Sequence, residues 1–481
     1  MKTKKSSTHD GSRTLLMKFG GTSVGTPEAM SQCIQIIQHE QQNWRLVVVI
    51  SALSKVTNLL LEGASKAALG DEQTFRHNAE RLAELHYDIS AALISTDRRH
   101  AVEAEIERFI TEFSSLCQAI AVLGEATPRA LDAVASLGER MSIRLLAAAL
   151  EHAGVRAAAV EASQLIETDD RFQNAHPDFD VSQRKTRQVL EPLLAQGIVP
   201  VVTGFIGAAP NGMITTLGRG GSDYSAGILG AVLPADEVWI WTDVDGVMTA
   251  DPRLAPDART IPEITYREIA ELAYFGAKVL HPKTIRPVVD AGIGLRICNT
   301  FNPQHPGTRL VAGDPASNGK KHNGDVVKAV TSVDGLRLIT VEGRGMLGVP
   351  GVAARTFSAV ASTGVSVPLI TQASSEQSIC FAAPAEAVER VVKALEKTFA
   401  VEIAHHDIDR IWATPECSIV TAVGVGMSHT PGVAGRIFSA LGAQNVNVIA
   451  IAQGSSEVAI SLVVAGEDTE SAVKILHKLT Y

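Results

Sequence analysis

Apolar residues dominate the short stretch from Leu15 to Phe19, which stops at Gly20-Gly21, and they recur at helical spacing from Pro27 to Gln41. Arg45 to Ile50 (RLVVVI) is a continuous β-branched run, the pattern of a strand buried on both faces. Residues 76–153 carry long amphipathic patterns with few breakers and are expected to be mostly helical. Val155–Glu161, Ile198–Phe205 and Glu237–Thr242 are further candidate strands, and Tyr224–Leu233 reads as a helix. Strands alternating with helices predict an α/β architecture, a mainly parallel sheet between helical layers.

The pattern changes at Pro303 to Asp325, which is rich in Gly, Pro, Asn and Lys. Beyond it the chain repeats itself without a gap at a shift of 81 residues. Gly345-Met346 falls on Gly426-Met427, Pro350-Gly351-Val352-Ala353 on Pro431-Gly432-Val433-Ala434, and Gln372 on Gln453. Each copy of about 65 residues reads strand, Pro-Gly turn, helix, strand, strand, helix, a duplicated β-α-β-β-α-β (α+β) module. One such module is small for independent stability, so pairing of sheets or helices is expected. The expected organisation is a disordered tail over 1–13, a first domain over 14–313, a linker and possible swapped strand over 314–334, and repeat copies over 335–400 and 415–481.

Composition narrows the function classes. The formal charge of -9 argues against a general nucleic-acid or anionic-membrane binder, while leaving room for a local phosphate pocket. No apolar run approaches a bilayer span, and the polar, basic start (MKTKKSSTHDGSR) lacks the apolar core of a signal peptide. Five dispersed cysteines without a C-x-x-C read as reduced thiols of a cytoplasmic protein. The histidines show no ligand spacing, so no protein-held metal site is expected.

Four segments carry candidate chemistry. Lys18-Phe19-Gly20-Gly21-Thr22-Ser23 sets a lysine at a strand end beside two glycines, which let backbone N–H groups approach a phosphate. Gly218-Arg219-Gly220-Gly221-Ser222-Asp223 opens a helix and makes a second anion cradle, with Asp223 in the first turn. Thr242 and Asp243 stand at a strand's carboxyl end, where open α/β sheets bind ligands, and could read a ribose or purine; Arg253 could reach phosphate. Lys278, in Phe275-Gly276-Ala277-Lys278, is a candidate second cation. Ser51, Thr57 and Glu139 are lesser candidates that could equally be caps or surface residues. Two lysines, an arginine, two glycine cradles and an aspartate suit phosphoryl transfer, which asks for positioning and charge neutralisation.

The motifs K-F-G-G-T-S, S-L-G-E, G-R-G-G-S-D, W-T-D-V-D-G-V-x-T-A-D-P-R and G-A-K-V-L-H-P, in this order, closely resemble those of the aspartokinases. The resemblance covers residues 15–481. It implies the amino-acid kinase fold over the first domain. It also implies transfer of a phosphoryl group from ATP, with Mg2+, to the carboxylate of L-aspartate, the first step of lysine, threonine and methionine biosynthesis. By matching position, Lys18 and Gly20 to Ser23 would hold phosphate. Ser51, Thr57, Glu139, Arg219 and Ser222 would hold aspartate, with Glu139 on its amino group and Arg219 on a carboxylate. Gly220, Gly221, Thr242, Asp243, Met248, Arg253, Lys278 and Val279 would contact nucleotide, and Asp223 would organise the catalytic lysines Lys18 and Lys278. Met248 stands where the family commonly has tyrosine, so a backbone contact survives there and a ring contact does not.

The repeat copies resemble ACT domains, sensors usually tuned to amino acids, and their segments look most like the threonine-sensitive bifunctional aspartokinase–homoserine dehydrogenase type. No G-x-G-x-x-G unit follows, so the chain reads as a monofunctional relative or the kinase part of a longer protein. Gln372 and Gln453 are the candidate effector contacts, because an amide both donates and accepts; threonine is the first expected effector and lysine the second. In related enzymes one ACT unit is threaded into the other and the pair forms a homodimer, and the strand candidate Val326–Val333 fits such an exchange. The competing readings are another amino-acid kinase, such as a glutamate kinase, and a catalytically dead sensor; the intact Lys18, Arg219, Asp223 and Lys278 argue against the second.

Overall fold

The computed structural model describes residues 13–277, 280–311, 326–346, 349–372, 377–428, 430–454 and 458–480. The chain divides into two compact units, Met1–Val247 with Pro262–Ile264 and Leu280–Ala312, and Met248–Ile261 with Thr265–Val279 and Gly313–Tyr481.

In the first unit the strands are β1 (Thr14–Phe19), β2 (Arg45–Ile50), β3 (Ala157–Val160), β4 (Val199–Thr203), a small hairpin β5 (Ile206–Ala208) and β6 (Ile214–Thr216), β7 (Glu237–Thr242), β8 (Glu263–Thr265), β9 (Gly294–Asn299) and β10 (Thr308–Val311). The main sheet has the order β3-β4-β2-β1-β7-β9-β10-β8. Its inner strands run parallel, and β10 pairs antiparallel with β9. β1 is buried at all six positions between β2 and β7, which is why its sequence is an apolar run rather than an alternation. Leu15, Met17 and Phe19 join a core with Val48 and Ile50 and with Leu60, Leu137 and Met141 from helices. The alternate residues Leu16, Val47 and Val49 are equally buried on the other face.

The helices of this unit are α1 (Gly21–Val24), α2 (Pro27–Glu40), α3 (Val56–Ala67), α4 (Glu72–Leu93), α5 (Thr96–Leu123), α6 (Pro128–His152), α7 (Phe179–Ala195) and α8 (Gly221–Val232), with a further helix at Pro282–Asp290. The long helical stretch expected from the pattern resolves into α4, α5 and α6. α6 starts sharply: the Thr127 hydroxyl accepts from Ala130 N–H and Pro128 occupies the first position. Three differences from the sequence pattern stand out. α8 begins at Gly221 rather than Tyr224, because glycine backbone carries the first turn. β3 and β4 are shorter than their apolar runs, since burial continues past the ladder. The helix α3 and the hairpin β5–β6 were not foreseen.

The second unit contains α9 (Tyr266–Tyr274) and the two repeat copies. Its sheet has the order β12-β13-β11-β15-β17-β16, where β11 is Ala329–Glu342, β12 Ile370–Gln372, β13 Ser378–Pro384, β15 Cys417–Val423, β16 Ala450–Gln453 and β17 Ala459–Ala465; β14 (Arg410–Ala413) pairs with β11 off this path. One strand, β11, serves both copies. Ala329–Val333 pairs with β15 of the second copy, the register shifts between Val333 and Leu336, and Leu336–Glu342 pairs with β13 of the first. The copies keep matching caps: Gly351 (φ 90°) and Gly432 (φ 85°) start the helices Val352–Ser362 and Val433–Gly442 in a left-handed conformation that glycine adopts without strain. Each copy has its own apolar core, around Phe381 and Phe399 in the first and around Ile437 and Leu462 in the second.

α9 is tied to the repeats by one carboxylate. Thr265 and Glu268 form a capping box at its start. Glu268, 1% exposed, also accepts from Lys328 Nζ at 3.0 Å and from Val425 N–H at 2.9 Å. Val425 immediately precedes the repeated Gly426-Met427. Glu268→Ala leaves a lysine and two backbone donors without their acceptor, so the second unit should lose about 3–5 kcal/mol. Differential scanning calorimetry should show its transition lowered by several degrees; an unchanged transition would mean the carboxylate is not a structural tie.

Candidate functional site

The register of β1 with β2 and β7 puts Phe19 opposite both Ile50 and Trp241. The segments that follow these three strands therefore emerge side by side at the carboxyl edge of the sheet. A cleft of roughly 770 Å3 opens there. It is lined from β1 by Lys18, from α1 by Gly21, from the segment after β2 by Ser51, from α3 by Thr57, from α6 by Glu139, and from the loop into α8 and its first turn by Arg219 to Asp223.

Lys18 ends the buried strand with its side chain only 10% exposed, and its Nζ lies 2.6 Å from Asp223 Oδ1. The pair joins the central strand to the first turn of α8. That turn is built from glycine for two physical reasons. Gly220 has a φ of 71°, and a Cβ on Gly221 would stand 2.6 Å from the Phe205 ring. Gly221 N–H donates to the Gly218 carbonyl at 2.9 Å, but Gly220 offers no side-chain cap, so the other N–H groups of the first turn and the positive end of the helix dipole stay open to an anion. Gly21 meets the same demand across the cleft, where a Cβ would stand 3.0 Å from the Ala52 carbonyl oxygen.

Glu139 lies on the cleft wall, 3% exposed, and its Oε2 has no hydrogen-bond partner among the described residues. Burial pushes its carboxyl up to about 8, against the opposing pull of the Ala52 N–H, its own N–H and the Lys18 ammonium. A buried carboxyl with an idle oxygen beside a cleft is prepared for a cationic group from outside. Arg219, exposed on its glycine loop, supplies the opposite charge. The cleft thus presents a lysine–aspartate pair at one place, a carboxyl at another and a guanidinium at a third.

Other expected residues fall differently. Ser23 is fully buried, its hydroxyl 2.7 Å from Thr300 Oγ1, and so is occupied with packing rather than open to a ligand. Thr242 donates to Asp243 at 3.2 Å at the end of β7. Met248 and Arg253 belong to the second unit. There Met248 Sδ accepts from Thr260 at 3.5 Å, and Arg253 is bound to Asp251 through Nε and a terminal nitrogen. Lys278 and Val279 lie outside the described residues, as do the serines and glutamates that follow Gln372 and Gln453. Gln372 and Gln453 are exposed at equivalent places on the outer strands β12 and β16, opposite Ile379 and Ile460.

The cleft also holds residues the sequence did not single out, among them Lys55, Asn58, Asp132, Gln173, Phe205 and Thr216. Of six non-glycine residues with positive φ among those described, Lys55, Gln173 and Phe205 line this one cleft, so the surrounding structure holds its backbone in sparsely populated conformations. Asp132 had a legible signal: it precedes Glu139 by seven residues, two helical turns on the same face.

Comparison with known proteins agrees with this geometry. Residues 13–299 match the amino acid kinase family, and residues 339–399 and 420–479 each match an ACT domain. The chain is 37% identical to the bifunctional aspartokinase/homoserine dehydrogenase of Haemophilus influenzae over 97% of its own length and 56% of that protein. It is 34% identical to Aspartokinase 3, chloroplastic, of Arabidopsis thaliana, over 96% of this chain and 81% of that one. The chain spans about half the length of the bifunctional relatives it matches. Among solved structures, E. coli aspartokinase III in complex with lysine and aspartate aligns with a TM-score of 0.77 at 32% identity, over 97% of this chain and 99% of that one. The same enzyme with aspartate and ADP aligns at 0.79 and 31%, with the same coverage. By its cradle of glycines, its kinase domain and its paired repeats, the chain belongs to the amino acid kinase family and, within it, to the aspartokinases.

Proposed function

We propose that the chain transfers the γ-phosphoryl group of ATP to the side-chain carboxylate of L-aspartate, and that an amino acid bound to its ACT repeats regulates the reaction. The observation that carries the first part is the juxtaposition, in one cleft, of the Lys18–Asp223 pair, the open start of α8, the idle Glu139 carboxyl and Arg219. An amino diacid offers one ammonium and two carboxylates. Glu139 takes the ammonium, Arg219 takes the α-carboxylate, and the side-chain carboxylate is left to face the phosphate. One of its oxygens attacks the γ-phosphorus and the bond to ADP breaks; no proton moves, so no general base is required. Lys18 and the α8 terminus offset the charge that gathers on the transferring group.

No group of three acidic, histidine or cysteine ligands occurs among the described residues. A Mg2+ that accompanies ATP would take phosphate oxygens and water, with Asp223 or Asp243 as the carboxylates that could assist. When bound, the ion supplies further neutralisation of phosphate charge.

The regulatory reading is supported by the ACT matches, by the equivalence of Gln372 and Gln453, and by the exposed Ile370 and Ile451 on the same outer strands, which suit a homodimer interface. Threonine is the first candidate effector, from the likeness to bifunctional relatives; lysine, present in the E. coli aspartokinase III complex, is the second.

Three outcomes follow. Lys18→Ala and Asp223→Ala should each lower kcat by about 100- to 1000-fold in a coupled ADP-release assay, with circular dichroism unchanged; near-normal turnover in a folded variant removes that residue from the mechanism.

The second concerns pH. With its carboxyl near 8, empty-cleft Glu139 is protonated at neutral pH and must lose its proton to bind an ammonium. The KM for aspartate should therefore fall as pH rises from 6 to about 8 and level off above. Glu139→Gln should flatten that slope, and Arg219→Ala should raise the aspartate KM while leaving ATP affinity by calorimetry nearly unchanged. A wild-type KM that rises with pH over this range contradicts the assignment.

Third, Gln372→Ala or Gln453→Ala should weaken inhibition by threonine and spare uninhibited turnover, with coupling of about 1–3 kcal/mol at stake. Response to lysine alone changes the effector; response to no amino acid, in rate or melting temperature, removes the sensor.

A further inference from the structure

Arg219, the reader of a carboxylate, sits on the least constrained type of backbone, with Gly218 before it and Gly220 and Gly221 after it. Something outside the loop has to hold it at a set distance from Glu139. Asp132 is placed to do so. It lies on α6 two turns ahead of Glu139, lines the same cleft, and is 1% exposed.

Its carboxylate gathers three donors from two separate segments. Oδ2 accepts from Thr216 N–H and from Gln173 N–H, both at 2.9 Å, and Oδ1 accepts from the Thr216 hydroxyl at 2.8 Å. Thr216 ends β6, three residues before Arg219. Gln173 has a φ of 67°, and its turn is the surface on which the glycine loop rests: a Cβ on Gly218 would stand 3.0 Å from the Gln173 carbonyl oxygen and from Asn174 Oδ1. Asn174 is fixed in turn by Lys283 Nζ at 2.8 Å. One side chain therefore fastens both the root of the Arg219 loop and its resting surface to the helix that carries Glu139. Burial raises the Asp132 carboxyl, and the three hydrogen bonds draw it back down.

We propose that Asp132 is a positioning residue for substrate choice: by fixing the span between Glu139 and Arg219, it sets the length of amino diacid that the cleft accepts, aspartate over the one-carbon-longer glutamate. This rests on the assignment of Glu139 and Arg219 to the ammonium and α-carboxylate. The span decides where the second carboxylate falls. A longer diacid held at the same two points carries its reacting oxygen past the phosphate, whereas a loosened loop tolerates both lengths equally badly.

The test is steady-state kinetics of the full chain with aspartate, glutamate and ATP varied separately. Asp132→Ala should raise the aspartate KM by about 10- to 100-fold, the range for a misplaced positioning contact. It should leave the ATP KM within about twofold and reduce the aspartate-to-glutamate ratio of kcat/KM by at least tenfold, by the same estimate. Asp132→Asn should restore most of the selectivity, because one amide oxygen can accept both backbone N–H groups while its NH2 donates to the Thr216 hydroxyl. Thr216→Val, which removes one donor and keeps the fold, should raise the aspartate KM by a few-fold, about the worth of one hydrogen bond. Should Asp132→Ala not fold, the Asn and Val variants decide the matter alone. The proposal is overturned if Asp132→Ala damages ATP and aspartate use alike, if selectivity survives in it, or if Asn fails to rescue. A wild-type chain that phosphorylates no aspartate overturns the functional reading and this proposal together; wild-type activity with unaltered variant selectivity overturns this proposal alone.

Discussion

The contact between Lys18 and Asp223 organises the first unit. A lysine at the end of a strand buried on both faces cannot reach open water, and its 10% exposed side chain needs a counterion close by. Asp223 supplies it from the first turn of α8, so the same ion pair that makes Lys18 tolerable also fixes where the helix begins. The helix start in turn needs Gly220 in the left-handed region and Gly221 against the Phe205 ring. The remaining features are arranged around this point: parallel strands bring three carboxyl ends together, and α6 closes the cleft with Glu139 and Asp132 on one face.

The charged groups of the cleft differ in what satisfies them. Lys18 has its partner, Asp132 has three neutral donors, and burial pushes the Glu139 carboxyl up while its Oε2 stays idle. A buried carboxyl of this kind is costly to hold. The strained backbones of Lys55, Gln173 and Phe205 belong to the same economy, with conformations held ready before binding.

The second unit has a different logic. Its two copies are not separate beads, because β11 runs through both sheets and shifts register once between them. Glu268 adds α9 to this framework through Lys328 and Val425. The residues on both sides of the α9 segment, Pro262–Ile264 and the stretch from Leu280, belong to the first unit.

Much of this was legible without coordinates. The apolar runs at Leu15 and Arg45 announced buried parallel strands, because a strand covered on both faces cannot alternate. The glycines around Lys18 and Arg219 marked two segments that the fold brings to one cleft, and the 81-residue shift announced the duplication. What the sequence could not show is which distant residues share a surface. The seven-residue spacing places Asp132 on the same helix face as Glu139, but only the fold brings Gln173 and Thr216 onto it, 41 and 84 residues away. Ser23 looks like part of a phosphate loop until Thr300 takes its hydroxyl across 277 residues. Periodicity and turn chemistry act within a few residues, so they are written locally; hydrogen bonds between segments, and the pKa of a carboxyl such as Glu139, depend on what burial brings together, and only the tertiary structure decides that.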